Sequence, residues 1–145
     1  FIFYSLGMAP PQYLLLSCVA ILLVSCFTFV NTNIKTDDFY FSGFPAIWNI
    51  VVLYFYILES SEFTNFIFVI LFCVLTFIPL KYVHPFRVVE FRKITLMITS
   101  IWMITTTILL FDVSFSDPVF TSANFVIWLI TNIYFAGTVL YRSFR

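Results

Sequence analysis

Gln12-Tyr13-Leu14-Leu15-Leu16-Ser17-Cys18-Val19-Ala20-Ile21-Leu22-Leu23-Val24-Ser25-Cys26-Phe27-Thr28-Phe29-Val30 runs without a single charged side chain. Roughly 20 apolar residues in an α-helix cross the ~30 Å hydrocarbon core of a bilayer, so this stretch is long enough to span. A strand is excluded on two grounds. Only helices and closed barrels satisfy their backbone in lipid, and barrel strands alternate every second residue, whereas this run is apolar throughout.

Working outward, four further apolar stretches predict helices: Pro45–Leu58, Asn65–Leu80, Ile94–Phe111 and Val119–Tyr141. The expected fold is an all-α membrane protein, a bundle of about five transmembrane helices in a single domain over residues 1–145. The second stretch is the short one, about 21 Å as a helix. It is expected to continue through Phe63, placing Glu59 and Glu62 near the far interface, with a re-entrant segment as the alternative. No internal repeat or low-complexity linker is evident.

Composition agrees with that class. Hydrophobic residues make up 62% of the chain, charged residues 10%, and mean hydropathy is +1.06. Soluble domains carry about a quarter charged residues. The formal net charge is zero, so no global field favours nucleic acid, which is not an expected partner. The charges are segregated. All seven basic residues fall in the Asn31–Gly43 loop (Lys35), the Lys81–Lys93 loop (Lys81, Arg87, Arg92, Lys93) or the C-terminus (Arg142, Arg145). The Glu59–Thr64 and Asp112–Pro118 loops hold only acids: Glu59, Glu62, Asp112 and Asp117. Five helices put these sets on opposite sides, and the positive-inside rule makes the basic set, with the C-terminus, cytoplasmic. Cys18, Cys26 and Cys73 lie in apolar runs without metal-ligand or disulfide spacing and read as packing residues. The first residue is Phe1, and no basic n-region or cleavage site follows, so the chain is expected to begin partway into a larger protein.

Two polar stretches are candidates for chemistry. In Asn31–Asn49, Lys35, Asp37 and Asp38 sit beside aromatics, Gly43 permits a sharp turn, and Pro45 suits a first helical turn. A helix starting there would point its positive dipole end at the cytoplasmic interface, a setting that favours phosphate. Trp48 fits an interfacial belt and Asn49 follows it. The plain alternative is a polar loop with an aromatic anchor. In Tyr82-Val83-His84-Pro85-Phe86-Arg87, His84 and Arg87 join Lys81, Arg92 and Lys93 in a basic patch able to attract lipid headgroups or a pyrophosphate. The plain alternative there is charge that merely sets topology. His84 lacks acidic neighbours and is a poor metal ligand. Thr95, Thr99 and Thr106, with Asn124 and Asn132, read as helix–helix packing. No ionisable residue lies mid-span, which weighs against an ion-coupled transporter.

The order Lys35-Thr36-Asp37-Asp38, Phe41-Ser42-Gly43-Phe44-Pro45, Trp48-Asn49, then Val83-His84-Pro85 and Arg87, resembles the bacterial phosphatidylcholine synthases. These are membrane enzymes of the CDP-alcohol phosphatidyltransferase superfamily. The resemblance covers about Asn31–Phe111, with Phe39 standing where the family pattern has Asn. It implies phospholipid biosynthesis in the bacterial inner membrane: transfer of a phosphatidyl group from CDP-diacylglycerol to choline, giving phosphatidylcholine and CMP. It implies substrate contacts among Lys35, Asp37, Asp38, Gly43, Pro45, Asn49, His84 and Arg87, and Tyr40 offers an aromatic face to a choline cation. Membrane lipids are the other partners, with a homodimer left open. The family signature D-x-x-D-G-x-x-A-R, then G-x-x-x-D-x-x-x-D, holds a divalent metal (magnesium or manganese) and is absent from this chain. In the family it precedes the matching loop. The metal ligands and catalytic carboxylates are therefore expected upstream, and this chain alone is expected to be inactive. The rival readings are a non-catalytic membrane subunit, an inactive remnant and a transporter component.

Overall fold

A computed structural model describes residues 1–31, 40–114 and 123–144. The chain is an all-α membrane protein: among the described residues, three helices are long and apolar enough to cross a bilayer, and shorter apolar helices accompany them. The chain divides into two compact units, Phe1–Lys35 with Ser42–Leu80, and Thr36–Phe41 with Lys81–Arg145.

The first unit starts with a single helical turn, α1 (Ile2–Ser5), followed by α2 (Pro11–Val30). Pro11 opens α2 where a missing N–H costs nothing, and the helix is about 30 Å long. Its hydroxyls do not burden the span. Ser17, Ser25 and Thr28 donate back to the carbonyls of Tyr13, Ile21 and Val24, so each polar group is satisfied inside the helix. Tyr13 stacks on Phe66 with ring centroids 4.6 Å apart, and Phe27 meets Phe77 at 5.0 Å.

Helices α3 (Trp48–Ile57) and α4 (Glu62–Leu75) are shorter than their apolar stretches suggest. At 1.5 Å per residue they measure about 15 and 21 Å, and neither reaches across the hydrocarbon core. The expected continuation of the second stretch through Phe63 does not occur. Glu59 takes a left-handed conformation (φ 46°) and turns the chain. Ser61 then caps the next helix by accepting from the Thr64 N–H at 3.2 Å. The buried Asn65 closes the turn: its Oδ1 accepts from the Ser60 hydroxyl, and its Nδ2 donates to the Ser60 carbonyl at 3.3 Å. Helix α4 stops before the expected Leu80 because Leu75 turns its carbonyl to the Phe44 N–H, and Pro79 forbids continuation.

In the second unit, Phe41 of β1 (Phe41–Ser42) lies in a two-stranded sheet with β2 (Lys81–Tyr82). Helices α5 (Arg92–Ser114) and α6 (Ala123–Ser143) follow, both long enough to span. Their side-chain bonds pair early residues with late ones. Thr95 meets the Tyr134 hydroxyl at 2.8 Å, the Trp128 Nε1–H donates to Thr106 Oγ1 at 3.1 Å, and Asn124 donates to the Thr105 carbonyl at 3.1 Å. The helices are therefore antiparallel, and the start of α5 lies at the same end as the close of α6. The threonines serve as packing and hydrogen-bonding residues between helices, which in lipid replaces the hydrophobic drive that water supplies.

Candidate functional site

The candidate residues fall into three groups. Lys35, Asp37 and Asp38, with Phe39, lie outside the described residues, as does Asp117. Gly43, Pro45 and Asn49 belong to the first unit, and His84 and Arg87 to the second.

In the first unit the turn is built around Gly43. Its φ is +88°, a region that side chains rarely tolerate, and any Cβ would run into the carbonyl of Thr76. Its N–H donates to the Leu80 carbonyl at 2.9 Å and that of Phe44 to the Leu75 carbonyl at 3.1 Å. The two segments are thus laid backbone to backbone. Thr76 accompanies them, donating to the Phe72 carbonyl at 3.0 Å and facing the Phe44 carbonyl at 3.4 Å. The Phe44 ring stacks on Phe72 at 4.6 Å and meets Trp48 edge-on at 5.6 Å. Pro45 does not open α3. It stands before the N-cap, Ile47, and its carbonyl accepts the Ile47 N–H at 2.7 Å. Gly43 and Pro45 are buried, so they shape the backbone; Asn49, in the first turn of α3, is exposed. Trp48 is buried, and its Nε1–H has no partner among the described residues.

In the second unit His84 and Arg87 share one turn. The His84 carbonyl accepts the N–H groups of Arg87 at 3.0 Å and Val88 at 3.1 Å. The imidazole lies against the Phe41 ring at 5.4 Å and edge-on to Phe86 at 6.5 Å. Its Nδ1 is shut off from solvent although the residue as a whole is half-buried. Burial, and secondarily the positive charge of Arg87, hold the imidazole below its ordinary range, so it is neutral at physiological pH. Arg87 is exposed and presents a planar donor fork suited to phosphate oxygens.

Three further residues gather beside this loop. Tyr40 is only 2% exposed, and its ring carries the Arg142 guanidinium 5.0 Å from its centre. Arg142 Nε also donates to the Tyr40 hydroxyl at 3.0 Å, and Arg142 pairs with Glu90. The aromatic face of Tyr40 that could have met a choline cation is thus taken by a cation of the chain itself. Sequence alone does not pick out Arg142 or Glu90: Arg142 reads as a topology charge at a helix end, and nothing local ties it to Glu90. Among the described residues, no group of three or more His, Cys, Asp or Glu side chains converges to hold a metal ion.

No family model matches the chain, and no solved structure matches it. Curated proteins do. The chain is 36% identical over 136 residues to a phosphatidylcholine synthase of Pseudomonas aeruginosa, covering 94% of this chain and 56% of that protein. It is 36% identical over 140 residues to one of Borreliella burgdorferi, covering 96% and 58%. Against one of Legionella pneumophila it is 46% identical over 81 residues, covering 56% and 32%. The chain spans about half the length of the curated relatives it matches, in their C-terminal portion. Along nearly its whole length, then, this chain is a relative of the phosphatidylcholine synthases.

Proposed function

We propose that this chain takes part in phospholipid biosynthesis, supplying C-terminal helices to an enzyme that transfers a phosphatidyl group from CDP-diacylglycerol to choline. In that reaction the choline hydroxyl oxygen forms the new bond to phosphorus, the pyrophosphate bond breaks, and CMP leaves. The carboxylates of the family signature would hold the divalent metal and accept the choline proton; when bound, the metal would neutralise the pyrophosphate charge. The observation that carries this reading is the similarity to phosphatidylcholine synthases over 94% and 96% of the chain.

Within this reading the present chain contributes the substrate side, all as one functional domain in the bacterial inner membrane. Arg87 meets the pyrophosphate and His84, kept neutral, lends a hydrogen-bonding ring beside it. Lys35, Asp37, Asp38 and Asn49 add polar contacts. Gly43 and Pro45 act through the backbone they shape. The basic loops and the C-terminus face the cytoplasm, where the water-soluble substrate halves reside. The contact of the β2 loop with the end of α6, Lys81 N–H to Ser143 Oγ at 2.8 Å, supports placing those basic groups on one side. The 145 residues alone lack the metal signature and carry out no transfer.

The test joins this chain behind the part of the P. aeruginosa relative that precedes the matched region. Membranes bearing the assembly, given CDP-diacylglycerol, choline and divalent metal, release CMP in step with added choline. A folded, membrane-inserted assembly that releases none, beside an active P. aeruginosa parent, refutes the reading.

A further inference from the structure

The end of α6 does something that a topology charge does not require. A cation in the last turn of a helix is favoured by the helix dipole and would ordinarily reach out to water. Arg142 instead keeps its side chain only 14% exposed. Its guanidinium is committed to the Tyr40 hydroxyl, the Tyr40 ring and the Glu90 carboxylate. The next residue acts on the same loop from its other end: Ser143 Oγ accepts the Lys81 N–H at 2.8 Å. Two consecutive residues of one helical turn therefore hold the loop from Lys81 to Glu90 at both ends. His84 and Arg87 lie between those ends.

The backbone adds a second observation. Phe91, directly after Glu90, has φ +57°, a left-handed conformation that is an outlier for a bulky residue. The residue is 53% exposed, so its own packing does not account for that conformation. Such backbone persists where neighbouring contacts over-determine it: the Arg92 N–H reaches the Val89 carbonyl at 3.4 Å, the Thr95 N–H reaches the Phe91 carbonyl at 2.9 Å, and the Glu90–Arg142 pair adds a contact from α6. Arg142 and Glu90 thus meet where the loop exits, and Ser143 meets it where it begins.

We infer that Arg142 is a positioning residue: together with Ser143 it fixes both ends of the Lys81–Glu90 loop and so places Arg87 and His84 for a diphosphate-bearing lipid substrate. This rests on the proposed transfer reaction. Arg142 touches no reacting atom; it acts through the loop. Glu90 is 37% exposed, so water softens the electrostatic loss when the pair is broken, and the main consequence of removing Arg142 is geometric.

The experiment measures kcat and the KM for CDP-diacylglycerol in the joined assembly, for the unsubstituted chain, Arg142→Ala, Arg142→Lys and the exchange Glu90→Arg with Arg142→Glu. Misplacement by an ångström costs up to about a hundredfold where geometry matters. Arg142→Ala is expected to raise KM about tenfold, with kcat changed less. Arg142→Lys should fall between, since an ammonium keeps the charge but lacks the fork that serves Tyr40 and Glu90 together. The exchanged pair restores the ion pair, and Tyr40 can donate to the new carboxylate, so KM should return towards its starting value. Unchanged KM in all variants, with only less folded protein recovered, overturns the inference and leaves the transfer reading standing. No transfer by the folded, unsubstituted assembly overturns both. Should Arg142→Ala fail to fold, the lysine variant and the exchanged pair decide the matter by the same comparison of KM.

Discussion

The turn at Gly43–Trp48 and the α5–α6 interface both keep polar groups away from water, by opposite means. At the turn, main chain meets main chain: the N–H groups of Gly43 and Phe44 reach the carbonyls of Leu80 and Leu75, and a bare Cα lies against Thr76. Between α5 and α6, side chains bridge the helices, with Thr95, Thr106 and Asn124 bonded to Tyr134, Trp128 and the Thr105 carbonyl. Lipid offers no hydrophobic drive between helices, so packing and hydrogen bonds must hold them. The first arrangement allows no added atom. The second is a set of separable bonds, each worth about 1 kcal/mol or less.

The largest effect should therefore come from the smallest substitution. Gly43→Ala combines a left-handed backbone with a Cβ driven into a carbonyl, and is expected to cost about 2–5 kcal/mol. Recovery of monodisperse protein after detergent extraction and its melting temperature check this; a near-normal variant would mean the turn is not as tight as described. At the interface, Trp128→Phe removes the donor to Thr106 and should cost about 1 kcal/mol. Thr106→Val in the same background should add little, because the shared bond is already gone. Additive losses in that cycle would deny the bond.

Trp48→Phe sharpens the contrast, because it is the same substitution at a buried indole whose N–H has no partner among the described residues. It is expected to cost less than Trp128→Phe by about 1 kcal/mol, since no hydrogen bond is lost and an unsatisfied donor disappears. Equal losses would show that ring volume, not hydrogen bonding, decides both sites.

The smallest effect is a pH dependence. Burial and the Arg87 charge keep folded His84 below its ordinary value of 6.5, so the unfolded chain takes up the proton first on acidification. The stability at neutral pH is expected to fall as pH drops below about 6.5 and to level off below the folded value. Melting temperature between about pH 7.5 and 5.5 reads this slope, which His84→Asn should flatten.

What could be read from sequence follows from range. The spans of α2, α5 and α6 were legible because an uninterrupted apolar run is itself the physical requirement for crossing lipid. The limits of α3 and α4 were not, because they are set by a left-handed Glu59, a Ser61 cap and a backbone contact between Gly43 and Thr76. The special conformation at Gly43 was legible from the residue type; its partner was not. His84 and Arg87 were legible as neighbours along the chain. Their clasp was hidden, since Tyr40, Glu90 and Arg142 are brought together only by the fold.

The proposed transfer is tested most directly by which alcohol receives the phosphatidyl group. In membranes carrying the joined assembly, CDP-diacylglycerol and divalent metal, equal amounts of labelled choline, serine and glycerol 3-phosphate would be offered together. The account predicts label from choline alone in the lipid fraction, as phosphatidylcholine, with one CMP released per lipid formed. Label entering from serine or glycerol 3-phosphate, or from no acceptor at all, would contradict it.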